Sequence, residues 1–197
     1  KIIEKNIFSN LSNLDNIYEK LSSESLRLSM NLIQQNLSLL GVNHDSFIYE
    51  TDLIKDNLVK NTVEELKKNN FVYMGKLSAP KGELTDEWES RDQLLFNSTN
   101  FGDDTDRALQ KSDGSWTYFA SDIAYHAHKV NRDFDFLINI LGADHSGYIK
   151  RIVAATKAVS KNKKNLICKV SQLVKLFKNG KPFKMSKRRG DYITVED

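Results

Sequence analysis

A single cysteine, Cys168, in 197 residues leaves no internal disulfide framework and fits a reducing compartment. Its neighbours Leu166, Ile167 and Val170 make it a buried strand residue and not a nucleophile. No apolar run approaches membrane-spanning length, and the opening Lys1-Ile2-Ile3-Glu4 is no secretory leader. The expectation is a cytoplasmic protein with no membrane partner. The chain also lacks an initiator methionine and reads as a piece of something longer. No internal repeat is visible. The most telling scarcity is local. From His145 to Gly190 there is no Asp or Glu, against fourteen Lys or Arg. The remainder holds fifteen basic residues against all 26 acidic ones, so a net charge of +3 conceals a basic C-terminal third on an acidic body. That asymmetry points to a polyanionic partner at the basic end: phosphates, RNA or both. Few aromatics interleave the lysines, which argues against a platform for stacking single-stranded bases.

What is present is ordinary for a globular chain: 40% hydrophobic and 28% charged residues, long enough to bury a sizeable core. The first half reads as scaffold. Leu26, Met30, Ile33, Leu37 and Leu40 recur at helical spacing, with Ser22 or Ser23 as a cap and Gly41 at the end, and this stripe is expected to be core. Phe47-Ile48-Tyr49 is a short strand candidate. Val59, Val63 and Leu66 mark a second core-facing helix running to about Lys68, and a strand follows over Phe71 to Met74. Ala79-Pro80-Lys81-Gly82 is a turn, Trp88 lies in a charged stretch, and Gln93 to Asn97 forms a strand. Asp103, Asp104 and Asp106 lack the regular ligand ladder of a calcium loop and read as loop or helix-capping residues.

The second half is α/β. Trp116 to Phe119 alternates like a strand, and Ala120, Ile123, Ala124 and Ala127 then mark a helix. Phe136 to Leu141 is a nearly continuous apolar run, as in a parallel strand covered on both faces. It ends in Gly142-Ala143-Asp144-His145-Ser146-Gly147-Tyr148; a helix follows through Ile149, Ile152, Val153 and Val159, then a strand over Leu166 to Val170. This alternation implies right-handed crossovers and a doubly wound sheet. In such sheets ligands bind beyond the carboxyl ends of the strands. Asp144 and His145 stand at one such end. After the turn at Asn179-Gly180 comes Lys184-Met185-Ser186-Lys187-Arg188, two lysines three apart beside a serine. Lysines are mobile point charges that suit phosphate chemistry. By itself the run also reads as a solvated basic loop.

Three stretches together resemble arginyl-tRNA synthetase of the class I aminoacyl-tRNA synthetases, in its bacterial form. They are Trp116 to His126, Gly142 to Tyr148, and Lys184 to Arg188, in that order and spacing. Leu26 to Gly75 and Phe101-Gly102-Asp103-Asp104 with Asp106-Arg107 look like the same family. The resemblance implies the second half of a Rossmann-like catalytic domain over residues 111–197, preceded by a connective insertion of helices and short strands over 1–110.

It also implies roles. Lys184 and Lys187, with Met185 and Ser186 between them, match the mobile signature loop that holds ATP phosphates, and the lysines are the catalytic pair. Gly142, Asp144 and His145 match the strand-end element near the nucleotide. Tyr118 and Asp122 match the pair that recognises the arginine side chain, with His145 lining the same pocket. On the residues alone, Asp122 reads first as a helix cap in the first turn and Tyr118 as a core residue. The partners implied are L-arginine, ATP with Mg2+, and tRNA(Arg), joined through an arginyl-adenylate whose formation needs bound tRNA. The family's His-x-Gly-His element and its anticodon-binding domain are missing, so the isolated chain is expected to be inactive. Two other readings stay open: another class I synthetase, and a non-catalytic relative that binds tRNA or other RNA with the same basic face.

Overall fold

The computed structural model describes residues 14–77, 91–178, 180–183, 185–186, 190 and 193–195, with only the backbone of residues 14–16 and 178. The expected turn at Ala79-Pro80, Trp88, Asn179 and the lysines of the basic loop lie outside these residues. The chain forms two compact units, residues 1–47 with 175–197, and residues 48–174. Among the described residues no helix is long and apolar enough to cross a membrane.

The first unit holds helix α1 (Leu14–Leu39). It closes as the sequence leads one to expect: Gly41 takes φ +72°, and the amides of Gly41 and Val42 donate to the carbonyls of Ser38 and Leu37 at 3.0 and 2.8 Å. Gly is the residue that enters this left-handed closure without strain. The start differs. The helix is already running at Ser22 and Ser23, and the Ser23 hydroxyl donates back to the Lys20 carbonyl at 3.0 Å. The apolar stripe is helical but is not core: Leu26, Ile33 and Leu40 are exposed, and Met30 and Leu37 are only half-buried. Periodicity reports which residues share a face, not whether anything covers that face. The C-terminal part of this unit is an antiparallel hairpin that turns through Gly180.

The second unit carries the core. Phe47 to Tyr49 forms no strand; it leads into the short helix α2 (Glu50–Lys55). Helix α3 (Leu58–Lys68) buries Val59, Val63 and Leu66, as expected. Strands β1 (Val72–Gly75), β2 (Gln93–Phe96) and β3 (Arg107–Ala108) make an antiparallel sheet in that order. Trp116 to Phe119 is not a strand either. Trp116 makes one isolated bridge to Gln110, and Thr117 caps helix α4 (Tyr118–Asn131). The Thr117 hydroxyl accepts from the Ala120 amide at 3.3 Å and donates to the Ala108 carbonyl at 3.0 Å, so a cap overrides the alternating pattern.

Strand β4 (Leu137–Gly142) pairs in parallel with β5 (Leu166–Ser171), in register from Leu137↔Leu166 to Gly142↔Ser171. A 3-10 turn (Ala143–Tyr148) and helix α5 (Ile149–Val159) connect them. This parallel unit is the α/β element expected. Leu137 and Leu166 bury against Ile152 of α5, while Ile138 and Ile140 on the other face stand 52% and 71% exposed. Among the described residues only one face is covered, not both. Cys168 is half-buried in β5, and burial pushes its thiol above the usual range, consistent with an inert strand residue. The largest cluster joins α3, β2, α4 and α5. Ala120 and Ala124 of α4, with Ala155 and Ala158 of α5, are fully or almost fully buried. Alanines let the helix backbones approach closely, and Phe96, Phe119 and Leu109 fill what remains.

The acidic cluster is a lock and not a metal loop. Asp103 is buried, and Arg107 donates to both of its oxygens at 2.8 Å. The Ser98 hydroxyl and the Asp104 amide complete its shell at 2.8 and 2.7 Å. Burial alone would raise this carboxyl; the hydrogen bonds outweigh it and hold the group below its usual range. Asp106 accepts from the Tyr73 hydroxyl at 2.6 Å and the Thr99 hydroxyl at 2.8 Å, which ties the loop to β1. Asp103→Ala should therefore lower the unfolding free energy by about 2–4 kcal/mol, because it strands a part-buried guanidinium. Asp104→Ala, which removes only an exposed pair with Lys150, should cost less than about 1 kcal/mol. Denaturant unfolding of the two variants beside the parent checks the contrast, and equal costs would contradict it.

Candidate functional site

Helix α4 places Tyr118 and Asp122 one turn apart, and both line a pocket of about 240 Å³. Ser121 and Tyr125 of the same helix line it too, with Ile48, Glu50 and Leu53 from α2 and the residues before it. Two tyrosines and two carboxylates thus surround a small concavity with apolar walls. Tyr118 is 72% exposed, with the Lys111 ammonium 5.4 Å from its ring centroid, so it is not a core residue. Nor is Asp122 the helix cap, because Thr117 fills that place. Asp122 also sits beyond the first turn, where the helix dipole gives it little. The expectation of a first-turn carboxylate was misplaced by the false strand.

What orients Asp122 comes from its neighbours. The Tyr148 hydroxyl donates to Asp122 Oδ2. The Asp122 carbonyl accepts from His126 Nδ1 at 2.7 Å. His126 Nε2 then accepts from the Asn139 amide at 3.1 Å, and Asn139 Oδ1 accepts from the Lys129 ammonium at 2.6 Å. Lysine can only donate, so each direction along this chain is fixed and His126 is neutral with its proton on Nδ1. Burial holds the His126 imidazole below its usual range and also lowers Lys129. Helix α4 is thereby bonded to β4 through Asn139 and to the start of α5 through Tyr148.

At the carboxyl end of β4, Gly142 leads into the 3-10 turn. A Cβ at Gly142 would meet only the Asp144 carboxylate, an exposed side chain that can turn aside to make room. Asp144 and His145 are exposed there, 3.6 Å apart. The exposed carboxylate and imidazole thus stand at the carboxyl end of a parallel strand, the place where such sheets take their ligands. The structure gathers Gly142, Asp144 and His145 on one turn, and Tyr118 with Asp122 on one helix face. His145 is not among the residues lining the pocket with Asp122. Met185 and Ser186 belong to the other compact unit; Lys184 and Lys187 lie outside the described residues.

Two residues that sequence reasoning passed over stand out. Glu50 ends an aromatic run that reads as a strand, and the turn into α2 aims it at the pocket. Tyr148 reads as the tail of the glycine turn, and nothing local links it to Asp122. No local signal marks either one; the fold brings them together.

The family of class I tRNA synthetases (R), catalytic domain, matches residues 2–197. An arginine–tRNA ligase of Pelagibacter ubique is 59% identical over 196 residues, covering 100% of this chain and 34% of that protein. One from Parvibaculum lavamentivorans is 52% identical over 168 residues, covering 85% of this chain and 29% of its own length. A crystal structure from Campylobacter jejuni assigned as an arginyl-tRNA synthetase superposes with a TM-score of 0.72 at 29% identity, over 98% of this chain and 39% of that one. This chain thus spans about a third of the length of the curated relatives it matches.

The neutral His126 has a pH consequence. Its folded-state pKa is depressed, so its contribution to stability is complete above the ordinary imidazole value of about 6.5 and is lost as the pH falls below it. The melting temperature should drop between about pH 7.5 and about pH 5.5, and His126→Gln should flatten that drop. Melting curves at a series of pH values check this; parallel curves for the two proteins would contradict it.

Proposed function

This chain belongs to the family of class I tRNA synthetase catalytic domains for arginine, and on that premise we propose that the protein carrying it joins L-arginine to tRNA(Arg) at the expense of ATP. The observation that supports the arginine half is the pocket between α2 and α4. A guanidinium is a planar cation with five donors, and carboxylates are its matching acceptors. Asp122 and Glu50 supply the carboxylates, and the Tyr118 and Tyr125 rings supply flat walls on which such a cation packs well. The arginine carboxylate is then free to react. One of its oxygens attacks the α-phosphorus of ATP, the bond to the bridging oxygen breaks, and pyrophosphate leaves. A ribose hydroxyl at the end of the tRNA next attacks the carbonyl carbon, the ester forms, and AMP leaves.

In this reading Gly142, Asp144 and His145 hold the nucleoside at the end of β4. Lys184 and Lys187 follow the charge on the phosphates, with Met185 and Ser186 setting their spacing. Mg2+ would arrive on the ATP phosphates, the mode that suits an ion reluctant to shed its waters. The basic stretch from His145 to Gly190 faces a polyanion by its composition, and tRNA is that polyanion. Assignment of residues 1–110 to a connective insertion and 111–197 to the second half of the nucleotide fold belongs to the same proposal, as do inactivity of the isolated chain and a cytoplasmic location.

The test is Asp122→Asn in the full-length protein. Asparagine keeps the size, and its carbonyl can still accept from Tyr148, but the charge is gone. Arginine affinity, measured by calorimetry with tRNA present, should fall by about 2–5 kcal/mol, the usual cost of breaking a desolvated charge pair. ATP binding and the melting temperature should change little. Normal arginine binding by this variant would remove the reading.

A further inference from the structure

We propose that Tyr148 is a positioning residue for substrate recognition: its hydroxyl fixes the plane of the Asp122 carboxylate that receives the guanidinium. The inference rests on the arginine reading above. The Asp122 carboxyl torsion is broad and roughly two-fold, so an unrestrained aspartate presents its oxygens over a wide range of angles. A bidentate partner needs both oxygens coplanar with the guanidinium. Tyr148 donates to Oδ2 alone. That bond takes one of about four lone-pair positions on the carboxylate and leaves the rest for the ligand.

Tyr148 itself has little freedom. Its ring meets Phe119 edge-on at 6.4 Å and 87°, and the Arg151 guanidinium lies 4.8 Å from its centroid. It packs against both apolar clusters of the unit, the one around α3 and α4 and the one under β4 and β5. Burial and the bond to Asp122 push the phenol above its usual range, so it stays a donor at any working pH. It is also absent from the pocket lining, which separates positioning from contact: Tyr148 acts on Asp122, not on the ligand. Orientation set before binding spares the ligand the cost of ordering its receptor.

The experiment uses the full-length protein with tRNA present, and compares arginine with citrulline, its uncharged isostere, by calorimetry. Four proteins are measured: the parent, Tyr148→Phe, Asp122→Asn and the double variant. Tyr148→Phe keeps the ring and loses only the hydroxyl. It should weaken arginine about tenfold and citrulline much less, so the arginine-to-citrulline ratio falls. Added to Asp122→Asn, it should cost almost nothing further, since its action passes through that carboxylate. The ratio does not depend on the folded fraction, so a loss of stability cannot imitate the effect. If Asp122→Asn loses arginine while Tyr148→Phe leaves the ratio unchanged, or if the two losses simply add, Tyr148 is a core residue and the proposal falls while the arginine reading stands. If Asp122→Asn binds arginine normally, both fall together.

Discussion

Everything in the larger unit depends on how helix α4 is fastened. Its N-terminus is set by Thr117, whose hydroxyl caps the helix and also grips the Ala108 carbonyl of β3. Its inner face is alanine and aromatic, pressed against α3 and α5. Its polar side is bonded to β4 by the run from His126 through Asn139 to Lys129. A part-buried polar chain of this kind is stabilising only when its members are satisfied, and here His126 Nδ1, the Asn139 amide and the Lys129 ammonium each have an acceptor. The result is a helix with little freedom to rotate, and Tyr118 and Asp122 stand on it toward the pocket.

The same fastening ties the two expected subsites together. Gly142 begins the turn that carries Asp144 and His145, and Tyr148 ends it. The hydroxyl that meets Asp122 therefore comes from the segment that would hold the nucleotide. Two reactants brought to one centre need that kind of shared frame, because misplacement by an ångström costs rate steeply. In the proposed reaction the basic loop supplies the other half of the chemistry, and along the chain it follows a hairpin of the smaller unit.

Much of this was legible in the sequence, and the failures have physical causes. Helix α3, strand β2 and helix α5 follow from periodicity and apolar runs, because each is packed by the face its own pattern marks; the parallel pair β4–β5 follows from its apolar runs too, though only one of the two faces they mark is covered. Trp116 to Phe119 misled because alternating aromatics have the period of a strand, while one threonine side chain decides the local hydrogen bonding. Phe47 to Tyr49 misled because a strand needs a partner, and sequence alone does not show whether one exists. Leu26 and Ile33 marked a real helix face, but nothing in their spacing says what lies against it. Tyr118 and Asp122 were found through the resemblance, sharing a helix and a motif. Glu50 and Tyr148 were not, since 68 and 26 residues separate them from Tyr118 and Asp122 and only the fold closes those gaps. Asp103 was legible as a loop carboxylate; its burial against Arg107 was not.

The account turns on one placement: a guanidinium between α2 and α4, received by Asp122 with its carboxylate already oriented. A crystal structure of the full-length protein with arginine bound measures that placement directly. The account predicts the guanidinium nitrogens at about 2.7–2.9 Å from the Asp122 carboxylate, with Tyr148 still donating to Oδ2. A guanidinium bound elsewhere, with Asp122 turned away and the space between Glu50 and Tyr118 empty, would contradict it.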